Sequence, residues 1–129
     1  MSARANDEKF GTAEDYTRAF RAITAEGIPH RHTALLQAHF EAPQHTATAR
    51  QLAERVGYVS YRAVNLQYGT LAKRVGQCLG LIEPPKGFWL FVLVDWAEGD
   101  VSGDTAFVLR QPVIQALLRL GFVRGDQKT

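Results

Sequence analysis

From residue 12 onward the apolar positions recur at helical spacing. Thr12 with Asp15 three positions on forms a capping box in which Asp stands where Glu or Gln is usual. Tyr16, Ala19, Phe20 and Ile23 then line one face, and Gly27 predicts the stop. Pro29 suits the first turn of a second helix whose apolar positions are Leu35, Leu36, His39 and Phe40, ended by Ala42-Pro43-Gln44-His45. Thr48 and Gln51 make a full capping box for a third helix, with Leu52, Ala53 and Val56 on one face and Gly57 as its left-handed terminus. After the turn Tyr58-Val59-Ser60, a long helical pattern runs from about Tyr61 to Leu79. Val64, Tyr68, Leu71, Val75 and Leu79 mark its inner face, and Gly80 closes it.

A helix, a tight turn with Gly and a second helix predict a helix-turn-helix. Ala53, four positions before Gly57, lets the two helices cross closely, and Leu52, Val56, Val59, Ala63 and Leu66 are the expected seam. A stiff loop, Glu83 to Gly87, follows. The run from Phe88 to Trp96 reads as a strand, and because it has no polar face both of its sides should be covered, or at least one of them by something aromatic. Ala97 to Asp104 is the expected hairpin loop and Thr105 to Leu109 the returning strand; Gln111-Pro112 opens a last helix that Gly121 ends. The predicted fold is mainly α with a small β-hairpin (α+β), a winged helix-turn-helix with extra N- and C-terminal helices. It spans 12–123, between a disordered N-terminal tail, 1–11, and a flexible C-terminal tail or linker start, 124–129.

Composition bounds the class without naming a partner. The chain has 129 residues, 46% hydrophobic and 22% charged, which suits one folded domain and not a disordered one. Its N-terminus lacks the apolar stretch of a signal peptide, and its longest apolar run, Phe88 to Val94, is too short for a membrane helix. A single Cys78 excludes an intramolecular disulfide and fits a cytoplasmic setting.

Charge becomes informative once it is divided along the chain. The formal net charge is only +2. Yet residues 43–82 carry Arg50, Arg55, Arg62, Lys73 and Arg74 against Glu54, a net of +4. Residues 83–109 carry Lys86 against Glu83, Asp95, Glu98, Asp100 and Asp104, a net of −4. Eleven of the 15 basic residues are Arg, the side chain suited to bidentate contacts with phosphate and guanine.

The segments Thr48-Ala49-Arg50-Gln51-Leu52-Ala53-Glu54-Arg55-Val56-Gly57-Tyr58 and Ala63-Val64-Asn65-Leu66-Gln67-Tyr68-Gly69-Thr70-Leu71-Ala72 resemble a bacterial winged-helix module. That module is found N-terminal to HNH-type, modification-dependent restriction endonucleases and in small stand-alone proteins. Trp89-Leu90-x-Val92-Leu93 and Leu109-Arg110-x-Pro112-x-Ile114-x-x-Ala116-Leu117 resemble the same family, so the likeness covers about residues 14–123. The resemblance implies a DNA-reading role in a restriction or defence system, with modified or methylated DNA as a candidate ligand. It also implies an HNH nuclease as a further domain or separate partner. The chain itself carries no HNH pattern and no Asp followed by Glu-x-Lys on a strand, so no catalysis is expected of these residues.

With Val64, Tyr68, Leu71 and Val75 inward, the opposite face of the long helix shows Arg62, Gly69, Thr70, Lys73 and Gln77. Arg62, Asn65 and Gln67 are types that read bases in paired hydrogen bonds, and Lys73 and Arg74 suit phosphates. Arg50, Tyr58, Ser60 and Tyr61, around the turn, complete the candidate double-stranded DNA contacts. The bland alternative is a solvated face of scattered charges. Leu66 is read as seam, with contact to a base methyl group as the alternative. Gly69 in mid-helix costs about 1 kcal/mol against Ala, so a neighbouring element or DNA should approach it closely.

Other groups point less clearly. Trp89, Phe91, Trp96 and Phe107 read first as core, and alternatively as a cage for a flipped base. His39, on an apolar face, reads as a core histidine with its hydrogen bonds satisfied. His30, His32 and His45 match no metal-ligand spacing, and neither metal nor cofactor is expected. The acidic hairpin would be repelled by phosphate, so DNA should dock on the helices alone. The competing readings are a protein-interaction winged helix and a dimeric transcription regulator. No membrane partner is expected, and the oligomeric state is left open.

Overall fold

The computed structural model describes residues 8–97 and 106–123. Both capping boxes form. The Asp15 N–H donates to the Thr12 hydroxyl at 3.2 Å and the Thr12 N–H to the Asp15 carboxylate at 2.9 Å, opening α1 (Ala13–Glu26). That backbone donor, helped by the Thr12 hydroxyl and the Arg18 charge, holds the Asp15 carboxyl below its ordinary range. After α2 (His30–Glu41) comes a short strand, β1 (Thr46–Thr48). Thr48 also caps α3 (Ala49–Val56), accepting from the Gln51 N–H at 3.0 Å while its own N–H donates to Gln51 Oε1 at 2.9 Å.

Gly57, at φ 92°, ends α3 with its own N–H and that of Tyr58 both on the Ala53 carbonyl. A Cβ is strained at that φ, so the turn favours Gly. The Ser60 hydroxyl then caps α4 (Tyr61–Cys78). Two strands, β2 (Val94–Trp96) and β3 (Ala106–Leu109), precede α5 (Gln111–Leu120), which has Pro in its first turn and Gly121 at its end. The sheet is antiparallel in the order β1-β3-β2, with Thr46 opposite Val108 and Trp96 opposite Phe107. The fold is α+β and mainly helical. None of the helices described is long and apolar enough to cross a membrane.

The core is the inner faces predicted from spacing. Tyr16, Phe20, Leu35, Leu36, Leu52, Val64, Leu71 and Leu117 are fully or almost fully buried, each such side chain contributing about 1.5–3 kcal/mol of transfer free energy. Polar ties cross it. The Tyr16 hydroxyl donates to the Val92 carbonyl at 2.6 Å, and the buried Arg110 donates from Nε to the Phe91 carbonyl at 2.8 Å.

Four expectations need correction. The strand read over Phe88–Trp96 is a 3-10 turn at Trp89–Val92 followed by only three strand residues. An unbroken apolar run cannot distinguish a two-sided strand from a buried turn, and positive φ at Lys86 and Gly87 bends the chain just before it. The strand β1, which pairs along β3, has no counterpart among the expected elements, because Thr-Ala-Thr has no apolar alternation. Val59 and Leu66 are not seam, being fully and two-thirds exposed; Leu66 lies two positions from Val64, about 200° around the helix. Phe10 packs against the core beneath the Arg110 guanidinium, so the packed body starts ahead of Thr12. The hairpin loop lies, apart from Ala97, outside the described residues, as do 1–7 and 124–129.

Candidate nucleic-acid interface

Burial of Val64, Tyr68, Leu71, Ala72 and Val75 turns the opposite face of α4 to solvent. That face carries Arg62, Asn65, Leu66, Gly69, Thr70 and Lys73, spaced as one stripe along the helix axis. No acidic residue occurs anywhere in α4. Beside its N-terminus the Arg50 guanidinium lies over the Tyr61 ring, 5.1 Å from the centroid. Arg50, Tyr61, Arg62 and Asn65 thus share the exposed rim where α3 and α4 begin, with Ser60 holding its helix-capping bond.

The remaining candidates are held elsewhere. Arg74 donates to the carbonyls of Gly27 at 2.9 Å and Ile23 at 3.3 Å and pairs with Glu26 at 3.4 Å. It neutralises the carbonyl end of α1, a favourable place for a cation, and is turned away from the Lys73 face. Gln67 accepts from His32 Nε2 at 2.9 Å and links α2 to α4. Tyr58 is half-buried with its hydroxyl out of contact with solvent, and that burial raises its pKa against the opposing effect of Arg31, stacked 5.4 Å from the ring. These three side chains follow the correct sequence spacing but serve the packing of the fold.

A cleft of about 540 Å³ opens along the α4 stripe. Asn65, Leu66, Gly69, Thr70 and Lys73 form one wall; Phe88, Trp89, Phe91, Trp96 and Phe107 form the other. Trp96 and Phe107, directly opposed across β2 and β3, stack with centroids 5.6 Å apart and planes 28° from parallel. Phe91 meets Trp96 at 5.1 Å. Leu66 and Phe88 are each 66% exposed and Trp96 49%. Phe88 has no place in the sequence-derived site, and Leu66 enters it only as the alternative contact to a base methyl group, signalled by its falling off the inner stripe of its helix.

His39 fixes the Phe107 wall from beneath. It is fully buried, with Nδ1 2.7 Å from the Tyr68 hydroxyl and Nε2 3.0 Å from the Phe107 carbonyl. A carbonyl only accepts, so Nε2 carries the proton and Nδ1 accepts from Tyr68. Burial holds the His39 pKa down to about 4 and pushes that of Tyr68 upward. This matches the expected core histidine, and it joins α2, α4 and β3 at one point.

Among the described residues, no cluster of three His, Cys, Asp or Glu side chains could hold a metal ion, and Cys78 is exposed and free. No protein-family model, curated protein or solved structure that was compared with the chain matches it.

Proposed function

We propose that this chain is a double-stranded DNA-binding winged helix, non-catalytic by itself, serving as the specificity module of a restriction or defence system. The observation that carries this reading is the acid-free outer face of α4, with Arg62, Asn65, Thr70 and Lys73 along it and Arg50 beside its start. A helix with such a face fits the major groove, where its N-terminal residues reach base edges and later cations meet phosphates. The element order supports the same reading: α2, β1, α3, α4 and then β2 and β3, with β1 alongside β3, follow the winged-helix succession. The modified-base and nuclease-partner parts of the proposal rest on the resemblance of residues 48–72 to the restriction-associated module.

The test is a mobility-shift series over a range of salt concentrations with plain, cytosine-methylated and adenine-methylated duplexes. Three exposed cations, Arg50, Arg62 and Lys73, predict that log affinity falls with log salt at a slope of about −3. No binding to any duplex at low salt overturns the proposal. Equal binding to all three removes only the modified-base part.

One observation favours a second reading, a protein-interaction winged helix. Leu66, Phe88 and Trp96 expose more apolar surface in one cleft than phosphate contact requires. That reading expects a complex that survives high salt and ignores DNA.

A further inference from the structure

Among the described residues, no neighbour calls for glycine at position 69. It lies in the middle of α4, where Gly is unfavourable, yet a Cβ built there meets nothing within 4 Å. The contrast with Gly76 on the same helix is direct, since a Cβ there would collide with the Trp89 ring at 2.7 Å. One glycine admits an aromatic side chain of its own chain. The other leaves bare backbone on the wall of an open aromatic cleft.

We propose that this cleft receives a single nucleobase extruded from duplex DNA, lying against the α4 backbone at Gly69 and stacked on the Trp96–Phe107 pair. The inference rests on the DNA-binding reading and adds to it a base-binding site, one wall of which belongs to β2 and β3, in place of docking on the helices alone. Three observations select a base over an apolar protein segment. The half-exposed Trp96 ring lies near-parallel to the partly buried Phe107 ring, which offers a flat surface to a flat ligand. The apolar centre is bracketed by the Asn65 amide, which can pair with a base edge, and the Lys73 ammonium, which suits the attached phosphate. Finally, no acidic residue lines the cleft among the described residues.

The experiment compares three versions of one short duplex: fully paired, carrying a central mismatch, and carrying an abasic site in place of the mismatched base. Unpairing lowers the cost of extrusion, and the abasic version keeps the backbone charge but removes the ligand. The expected result is binding of the mismatched duplex roughly tenfold more tightly than the abasic one, the low to middle range for stacking a single base. Quenching of Trp fluorescence should accompany the mismatched duplex alone, since Trp89 and Trp96 are the only two Trp residues and both line the cleft. Gly69→Leu fills the cleft with a better helix former, so it should fold, checked by its melting curve, and lose both the preference and the quenching. Binding of all three duplexes with equal affinity and no quenching overturns the base site while leaving DNA binding intact. Preference and quenching that persist in Gly69→Leu overturn it as well. Absence of binding to every duplex overturns both proposals together.

Discussion

Two glycines seven residues apart on α4 should respond to the same substitution with opposite signs. Replacing a helix-interior Gly by Ala is worth about 1 kcal/mol in backbone entropy and solvation. At Gly69 nothing among the described residues opposes that gain, because the added methyl group has no neighbour there within 4 Å. At Gly76 it lands 2.7 and 2.9 Å from two Trp89 ring carbons and 3.1 Å from a Val92 methyl. Non-bonded carbons prefer about 3.5–4.0 Å, so a rigid ring and a fully buried Val must both retreat. Overpacking of this kind costs about 1–3 kcal/mol.

The helix-propensity gain is common to both variants and cancels in their difference. Gly69→Ala should therefore exceed Gly76→Ala in stability by about 1–3 kcal/mol. Urea unfolding measures this directly, as a shift in midpoint at unchanged slope. In a thermal melt the gap corresponds to about 3–6 °C for each kcal/mol in a domain of this size. Equal effects at the two positions would refute the seating of Trp89 on the helix, and with it the shape of one cleft wall.

Three further outcomes follow from single contacts. His39 has a folded-state pKa near 4, below its usual 6.5, so the unfolded chain binds the proton more readily. Its contribution is fully present above about pH 6.5 and is lost as pH falls toward 4; between pH 7.5 and 5 the loss should be about 2 kcal/mol. Denaturant titration of the native protein and His39→Gln at both pH values isolates that share, and an identical pH dependence in the variant would refute it. Arg74→Ala should destabilise by about 1–2 kcal/mol through the lost bonds to Gly27 and Ile23, with the salt dependence of duplex binding unchanged; a flatter salt slope with no change in melting temperature would instead make Arg74 a phosphate contact. Thr48→Ala should cost about 1 kcal/mol by removing the α3 cap, and a neutral result in urea unfolding would show that β1 pairing alone holds the start of the helix.

Elements with a local physical signature were legible in the sequence, and those whose cause is tertiary were not. Thr12, Thr48, Gly57 and Gly121 act within one turn of themselves, and each marks a helix end as expected. The inner stripe of α4 was equally clear, since Val64, Tyr68, Leu71 and Val75 repeat at one period and are buried together. By contrast β1 exists because β3 lies beside it, a pairing across about sixty residues that Thr46-Ala47-Thr48 does not announce. The stretch from Phe91 to Val94 is apolar on every side because it is wrapped, and wrapping suits a turn as well as a strand. Within the candidate site residue types suggest roles, but types do not reveal which neighbour claims them first. Arg74 looked like a phosphate contact until the end of α1 arrived next to it.

That partition of the charges changes what holds DNA in the proposed complex. Five basic side chains in residues 43–82 would give a salt slope of about −4 to −5 if all met phosphate. Arg74 is committed to α1, and Arg55 belongs to the last turn of α3, not to the α4 stripe. Arg62 and Lys73 on the stripe, with Arg50 beside its start, supply a modest phosphate contribution, of the kind that gives weak, sequence-independent attachment. Any tight binding must then come from another surface, and the apolar cleft that Lys73 borders is the proposed one. A shallow salt slope combined with strong affinity would be the signature of a protein that holds DNA by its bases more than by its backbone. A steep slope would mean that cations outside the α4 stripe, such as Arg55 or Arg31, reach the phosphates, and that the cleft faces something else.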